Sequence, residues 1–215
     1  MGAITMSTPI WRFGQPTGQD ATPRNFYHYA IALQQYGELD TALFYLERAL
    51  AVQPTLLETY TQRGCLLAQL GNTQAGLADL QHVLQQRPDD VLAHNNRGIV
   101  YMNIATYPEA LADFERAIQL APDWGPPYYN RAYVYTRLGE LDKAIAGLQQ
   151  CLTLEPYRSG AIGLEARRAL ATLQEAVRQP NTPAGQSSAS TPPRNKAASR
   201  PAPPFSRIRR WFQSR

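Results

Sequence analysis

The stretch VLAHNNRGIVYMNIATYPEALADFERAIQLAP, residues 91–122, decides the fold of this chain. It holds two apolar patterns of helical period, separated by a short turn and closed by a proline. The closing proline belongs to a series that recurs every 34 residues, at Pro54, Pro88, Pro122 and Pro156. A fixed period of this length indicates a stack of identical helical units, each of which ends and turns at the same place.

Four segments align on this period, residues 23–56, 57–90, 91–124 and 125–158. Position 8 of each segment is small: Ala30, Gly64, Gly98 and Ala132. Position 20 is also small: Ala42, Gly76, Ala110 and Ala144. Small residues at these two positions predict a close crossing of two antiparallel helices, with the larger apolar residues packed beside it. A glycine or alanine at position 15 is expected to end the first helix of each pair.

This pattern resembles that of the tetratricopeptide repeat family over residues 23–156. The resemblance implies an all-α fold, a right-handed α-solenoid of four helix pairs. Residues 159–178 continue with an apolar stripe of helical period, which predicts a C-terminal capping helix that covers the last repeat. The stripe consists of Ile162, Ala166, Ala169, Leu170, Leu173 and Val177.

Charge is distributed unevenly along the chain. The net charge is +4, yet residues 179–215 contribute +7 without a single acid, so residues 1–178 carry −3. Residues 1–22 and 179–204 are rich in Pro, Ser, Thr, Gly, Ala and Gln, which predicts disordered tails. No apolar run reaches 18 residues and the N-terminus has no signal-peptide pattern. Cysteine usage indicates a reducing interior, so the expected localisation is cytoplasmic, with attachment to a membrane surface as an alternative.

The last segment, FSRIRRWFQSR at residues 205–215, forms a basic amphipathic tip. Its apolar and cationic side chains would lie on different sides of a helix, an arrangement that suits an anionic membrane or an acidic partner. Docking onto the acidic body of the same molecule and a free, solubilising end are the alternatives. The residues expected to dock are Arg207, Ile208, Arg209, Arg210, Trp211 and Phe212.

The family resemblance implies that the first helix of each pair lines a concave groove that holds a peptide or a helix of a partner protein. The matching positions here are rich in tyrosine and amide side chains, which can pair with an extended backbone. The residues expected to contact a partner are Tyr27, Ile31, Gln62, Asn95, Asn96, Ile99, Asn103, Tyr129, Asn130, Tyr133 and Arg137. A merely solvated face is the competing interpretation.

Chaperone-binding members of the family hold a C-terminal carboxylate with lysine, arginine and asparagine side chains. The matching positions of this chain contain no cation, which argues against such a receptor because an anionic carboxylate needs charge-assisted donors. In the first three repeats these positions are Tyr27, Ile31, Gln62, Leu92 and Asn96. In repeats two to four they are Thr61, Cys65, Asn96, Pro126 and Asn130.

A second series, Arg63, Arg97 and Arg131, resembles an anion-binding ladder, but structural pairing with acids is the favoured interpretation. The acids Asp79 and Asp113 lie one helix further along the chain. Pairing within a repeat would join Arg63 to Asp79 and Arg97 to Asp113. Pairing between repeats would instead join Arg97 to Asp79 and Arg131 to Asp113. The sequence leaves both arrangements open.

No catalytic constellation is present in the sequence, and no cofactor or metal site is expected. The three histidines fall at different repeat positions, and neither a phosphate-binding loop nor a nucleophile elbow occurs. The sequence therefore predicts a non-enzymatic scaffold that binds a protein partner in its groove, such as an assembly or targeting factor. The alternative is a peripheral membrane protein whose basic tip docks on anionic lipid, with the repeat body as a spacer. Nucleic acid binding is disfavoured.

Overall fold

The computed structural model describes residues 14–154, 157 and 160–178. These residues form nine α-helices and no strand, which confirms the predicted all-α repeat fold. The helices are α1 (Pro23–Gln35), α2 (Leu39–Val52), α3 (Leu57–Gln69), α4 (Thr73–Gln86), α5 (Val91–Asn103), α6 (Tyr107–Leu120), α7 (Pro126–Leu138), α8 (Leu141–Thr153) and α9 (Ala161–Arg178).

The described residues divide into two compact units, one up to Ala121 and one from Pro122 onward. In the first unit α1 packs against α2, α3 against α4 and α5 against α6, and the pairs are linked through the α2–α3, α4–α5 and α3–α5 contacts. This unit is a three-repeat solenoid. In the second unit α7 packs against α8, and α9 lies mainly on α8.

The helices of the second repeat cross as closely as the two small positions predict. A methyl group at Gly64 would lie 2.8 Å from the backbone oxygen of Gly76, and one at Gly76 would lie 2.5 Å from the oxygen of Gly64. Neither helix can therefore carry a side chain at this crossing. In the third repeat, Gly98 makes room for the ring of Phe114, which would lie 2.8 Å from an added methyl.

Inside each repeat, the turn after the first helix contains one residue with a left-handed backbone conformation. Gly37, Gly71 and Gly139 have φ values of 84°, 93° and 78°, the region that favours glycine. The third repeat places Ala105 there, with φ of 59°. Its turn still closes as the others do, because the amide of Thr106 donates to the carbonyl of Tyr101 at 2.9 Å.

The chain entering the first repeat is structured before the boundary that the sequence predicts. Within the segment assigned to a disordered tail, residues Gly18–Asp20 form one turn of 3-10 helix. The hydroxyl of Thr22 then caps α1 by accepting from the amide of Asn25 at 3.2 Å, and the Asn25 side chain donates to the Asp20 carbonyl at 2.9 Å. Residues 1–13 and 179–215, and with them the basic tip, lie outside the described residues.

The capping helix buries most of the predicted stripe. Ile162, Ala166, Ala169 and Leu173 recur every three or four residues and are buried. Val177, the last member of the stripe, is exposed. The apolar contact of α9 therefore ends one turn before the helix does.

Candidate functional site

The first unit brings together several of the residues predicted to bind a partner. The side chains of Tyr27 on α1 and Gln62 on α3 are hydrogen-bonded, which joins the first two repeats along their first helices. Burial raises the pKa of Tyr27, the Gln62 contact lowers it in part, and the charge of Glu58 raises it further. The phenol therefore stays neutral at physiological pH, so this end of the surface carries no phenolate charge.

One face of α1, α3 and α5 repeats the same order of side chains in the first unit. Positions 6, 9 and 13 are three and four residues apart, so they share a side of each helix. The middle position is apolar or weakly polar and half-buried, and the last is an exposed amide. We call this surface the amide–apolar face; it comprises His28, Gln62 and Asn96, then Ile31, Cys65 and Ile99, then Gln35, Gln69 and Asn103.

Three of the predicted contact residues are instead packed inside the protein. Asn95 is 0% exposed, on a helix that packs against α3, α4 and α6. In the second unit Tyr129 and Asn130 are 3% and 2% exposed. Burial raises the pKa of Tyr129, and the charges of Glu165 and Cys151 raise it further. These three side chains are not presented to a partner.

Two other predicted residues lie on α7 in the second unit. Tyr133 is half-buried and Arg137 is exposed, and the Arg137 guanidinium donates to the Tyr133 hydroxyl at 3.3 Å. Neither lies in the first unit, where the amide–apolar face is found.

Two of the three arginines in the series pair with an acid of their own repeat. Arg63 donates through Nε and Nη2 to the carboxylate of Asp79 at 2.7 and 2.8 Å. Arg97 makes the same two bonds to Asp113, both at 2.8 Å. The paired side chains are only 5–23% exposed. The structure thus chooses the within-repeat arrangement, and these two arginines join the helices of their own pair.

The third repeat adds a histidine to its pair. His94 contacts Asp113 through Nδ1 at 2.9 Å and the carbonyl of Pro88 through Nε2 at 2.9 Å. Burial raises the pKa of Asp113, but the hydrogen bonds from Arg97 and His94 outweigh it and hold that pKa below its ordinary value. The carboxylate is therefore ionised at neutral pH and ties α5 to α6.

Arg131 differs from the other two arginines. The residue 16 positions further on is Gly147, which offers no carboxylate. Its guanidinium lies 5.7 Å from the ring centre of Tyr128, and its buried Nε finds no hydrogen-bond partner among the described residues. Reasoning from the sequence placed Arg131 in the same group as the others; the missing acid in its own repeat was the signal that sets it apart.

The two cysteine thiols, both among the described residues, are not activated as nucleophiles. Burial raises the pKa of the Cys65 thiol to about 12 and that of Cys151 to about 11, so both remain protonated and weakly nucleophilic at neutral pH. Across residues 14–154, 157 and 160–178, no three His, Cys, Asp or Glu side chains gather into a potential metal site. Over the same residues, no helix combines the length and the apolar character that spanning a membrane requires.

The helix pairs repeat, and their first helices carry the same pattern of side chains on one face. This arrangement is that of a helical repeat protein, a class that serves as interaction scaffolds. Family models described as tetratricopeptide repeat match residues 29–98, 91–124 and 126–158, which together cover more than half of the 215 residues. The chain belongs to the tetratricopeptide repeat family. No curated protein matches the sequence.

Solved structures share the fold. A thermophilic tetratricopeptide repeat protein of Thermus thermophilus is 27% identical, with a TM-score of 0.63 over 73% of this chain and 83% of its own. A MamA fragment from Desulfovibrio magneticus RS-1 is 24% identical, with a TM-score of 0.55 over 74% of this chain and 97% of its own. The first repeat domain of Spaghetti (RPAP3), bound to the HSP90 peptide SRMEEVD, is 18% identical, with a TM-score of 0.51 over 57% and 93%.

Proposed function

We propose that this protein is a non-enzymatic scaffold that holds an extended segment of a partner protein on the amide–apolar face of its first unit. The observation that carries the proposal is the threefold repetition of that face on α1, α3 and α5. Tandem repeats of this kind use the surface of successive helices as one extended binding site.

The chemistry of the face favours a neutral, extended ligand. Exposed amides at Gln69 and Asn103 can both donate and accept, as a peptide backbone requires. The half-buried Ile31, Cys65 and Ile99 add an apolar row between the amides. No lysine or arginine stands at positions 6, 9 or 13 of the three repeats. A ligand held mainly by a terminal carboxylate would lack charge-assisted donors there.

A matched pair of double variants tests this proposal with the full-length chain. Gln69→Arg with Asn103→Arg places two charges on exposed positions of the face, and we expect it to lose the proteins that wild type captures from native cells. Gln74→Arg with Gln85→Arg makes the same charge change at exposed positions of α4 and should retain them. Equal capture by both variants would sink the assignment to this face, and no captured protein in any sample would sink the scaffold itself.

A second candidate function rests on the basic tip at residues 205–215, which lies outside the described residues. Four arginines beside an anionic leaflet contribute on the order of 1 kcal/mol each. We expect full-length protein to sediment with vesicles that contain phosphatidylserine, but not with neutral vesicles, and to be released by salt. Replacing Arg207, Arg209 and Arg210 with alanine should abolish sedimentation. Binding that survives those substitutions contradicts the electrostatic mechanism.

A further inference from the structure

Positions 7 and 23 join the two helices of a pair in the first three repeats, through two kinds of contact, and the fourth repeat lacks such a contact residue at position 23. In the first repeat Tyr29 and Tyr45 meet edge to face, with ring centres 4.7 Å apart. The second and third repeats use the bidentate arginine–aspartate pairs described above. The fourth repeat keeps the arginine, Arg131, but has Gly147 in place of the acid.

The loss of the acid in the fourth repeat accompanies an exchange of side-chain size between the two helices, compared with the third repeat. In the third repeat position 8 is Gly98, and a methyl added there would lie 3.2 Å from the Cβ of Asp113. In the fourth repeat the first helix carries the methyl instead, because position 8 is Ala132. A Cβ added to Gly147 on the second helix would lie 3.2 Å from that methyl. In the third and fourth repeats only one of the two helices carries a Cβ at this contact, whereas the first repeat carries both, in Ala30 and Tyr45. When the methyl is on α7, α8 has no side chain and therefore no carboxylate.

The guanidinium of Arg131 nevertheless has an aromatic neighbour, as that of Arg63 does in the second repeat. It lies 5.7 Å from the ring centre of Tyr128, as Arg63 lies 5.2 Å from that of Tyr60. The Tyr128 ring is itself anchored, since its hydroxyl donates to the carbonyl of Pro122 at 2.9 Å. The arginine is thus positioned without the acid that satisfies its counterparts, and its buried Nε has no acceptor among the described residues.

We propose that Arg131 is a binding site for a carboxylate that a ligand supplies, either an Asp or Glu side chain of a partner protein or a small carboxylic acid. An arginine fork matches a carboxylate through two parallel N–H···O bonds, the geometry that Arg63 and Arg97 make with their own acids. A buried donor without an acceptor is unfavourable, so a ligand oxygen placed at Nε removes that penalty. Arg131 is only half-buried, which leaves part of the residue open to solvent.

This site is independent of the amide–apolar face. It lies in the second unit, recognises an anion and does not require a neutral extended segment. A negative result in the protein-capture experiment therefore does not contradict the carboxylate site. Likewise, a negative titration of Arg131 does not contradict the binding of a partner segment on the amide–apolar face.

The test observes the arginine Nε–Hε resonances of the full-length protein by NMR during titration with sodium acetate. We expect the Arg131 resonance, assigned by its loss in Arg131→Lys, to move downfield and saturate. The resonances of Arg63 and Arg97, which are already paired, should stay in place and also report that the fold is intact. Acetamide, which has the same shape without the charge, should cause no saturable shift.

Two further arms identify the source of the carboxylate and guard against a misleading result. A blocked tripeptide Ala-Glu-Ala, compared with Ala-Gln-Ala, shows whether a glutamate side chain reaches the site as acetate does. The double variant Ala132→Gly with Gly147→Asp supplies the acid internally and should abolish both responses. The absence of a saturable Arg131 shift with either carboxylate, or an unchanged shift in the double variant, overturns the proposal.

Discussion

A third internal ion pair can be built into the fourth repeat by exchanging the residues at one helix contact. Gly147→Asp supplies the acid, and Ala132→Gly removes the methyl that would otherwise lie 3.2 Å from the new Cβ. Together the substitutions recreate the arrangement of Gly98 and Asp113 in the third repeat. We expect each single change to gain little or to destabilise, and the pair to be favourably coupled.

The magnitude follows from the existing pairs. A hydrogen bond to a charged group contributes about 1.5–3 kcal/mol, and we reduce this to about 1–2 kcal/mol because Arg131 is partly exposed. Ala132→Gly alone should cost about 1 kcal/mol through helix propensity. Gly147→Asp alone should be close to neutral, since its better helix propensity is offset by the tight contact with the Ala132 methyl.

Hydrogen exchange of the α7 and α8 amides is the suitable assay, because it reports the stability of this repeat rather than that of the whole chain. A coupling of about 1–2 kcal/mol slows exchange about 5–30-fold relative to the product of the two single effects. The cycle with Gly147→Asn in place of Gly147→Asp carries the same Cβ without the charge and separates relief of the clash from ion pairing. Equal coupling in the two cycles, or none in either, refutes the ion-pair reasoning.

Three further predictions concern the first unit, each measured by denaturation of the full chain. Asp113→Ala removes one partner of a buried pair and should cost about 3 kcal/mol at pH 7. The pKa of Asp113 is lowered in the folded state, so the stability that its carboxylate contributes is complete above the unfolded pKa of about 3.9. That contribution fades as the pH falls through the folded pKa. If Asp113→Ala is as much less stable than wild type at pH 2 as at pH 7, the ion-pair assignment is wrong. Gly64→Ala should destabilise by about 1–3 kcal/mol through the contact with the Gly76 oxygen, and a gain would show that the crossing can open. Ala105→Gly should stabilise by about 1 kcal/mol, because the φ of 59° strains an L-residue, and a lower melting temperature would disprove strain there.

Much of the fold could be predicted from the sequence because its cause is local and repeated. The small residues at positions 8 and 20 predict a helix crossing in each repeat. In the second repeat a methyl added to Gly64 or Gly76 would lie 2.8 or 2.5 Å from the backbone oxygen of the other helix. Sequence reasoning was less successful for Asn95, Tyr129 and Asn130. Their positions face a partner only if no neighbouring helix covers them, and coverage depends on packing between elements that the repeat period does not describe.

The sequence by itself determined the period, the helix pairs, the turns and the capping helix of this protein, since each depends on residue size and backbone preference within a few neighbouring positions. It also determined that a basic tip follows an acidic body. Only the tertiary structure decided which acid each arginine meets, because the within-repeat and between-repeat partners are equally compatible with the spacing. It also decided which face-lining side chains are buried, and that Arg131 keeps its place beside Tyr128 without the carboxylate that its counterparts bind, because these outcomes depend on distances between helices.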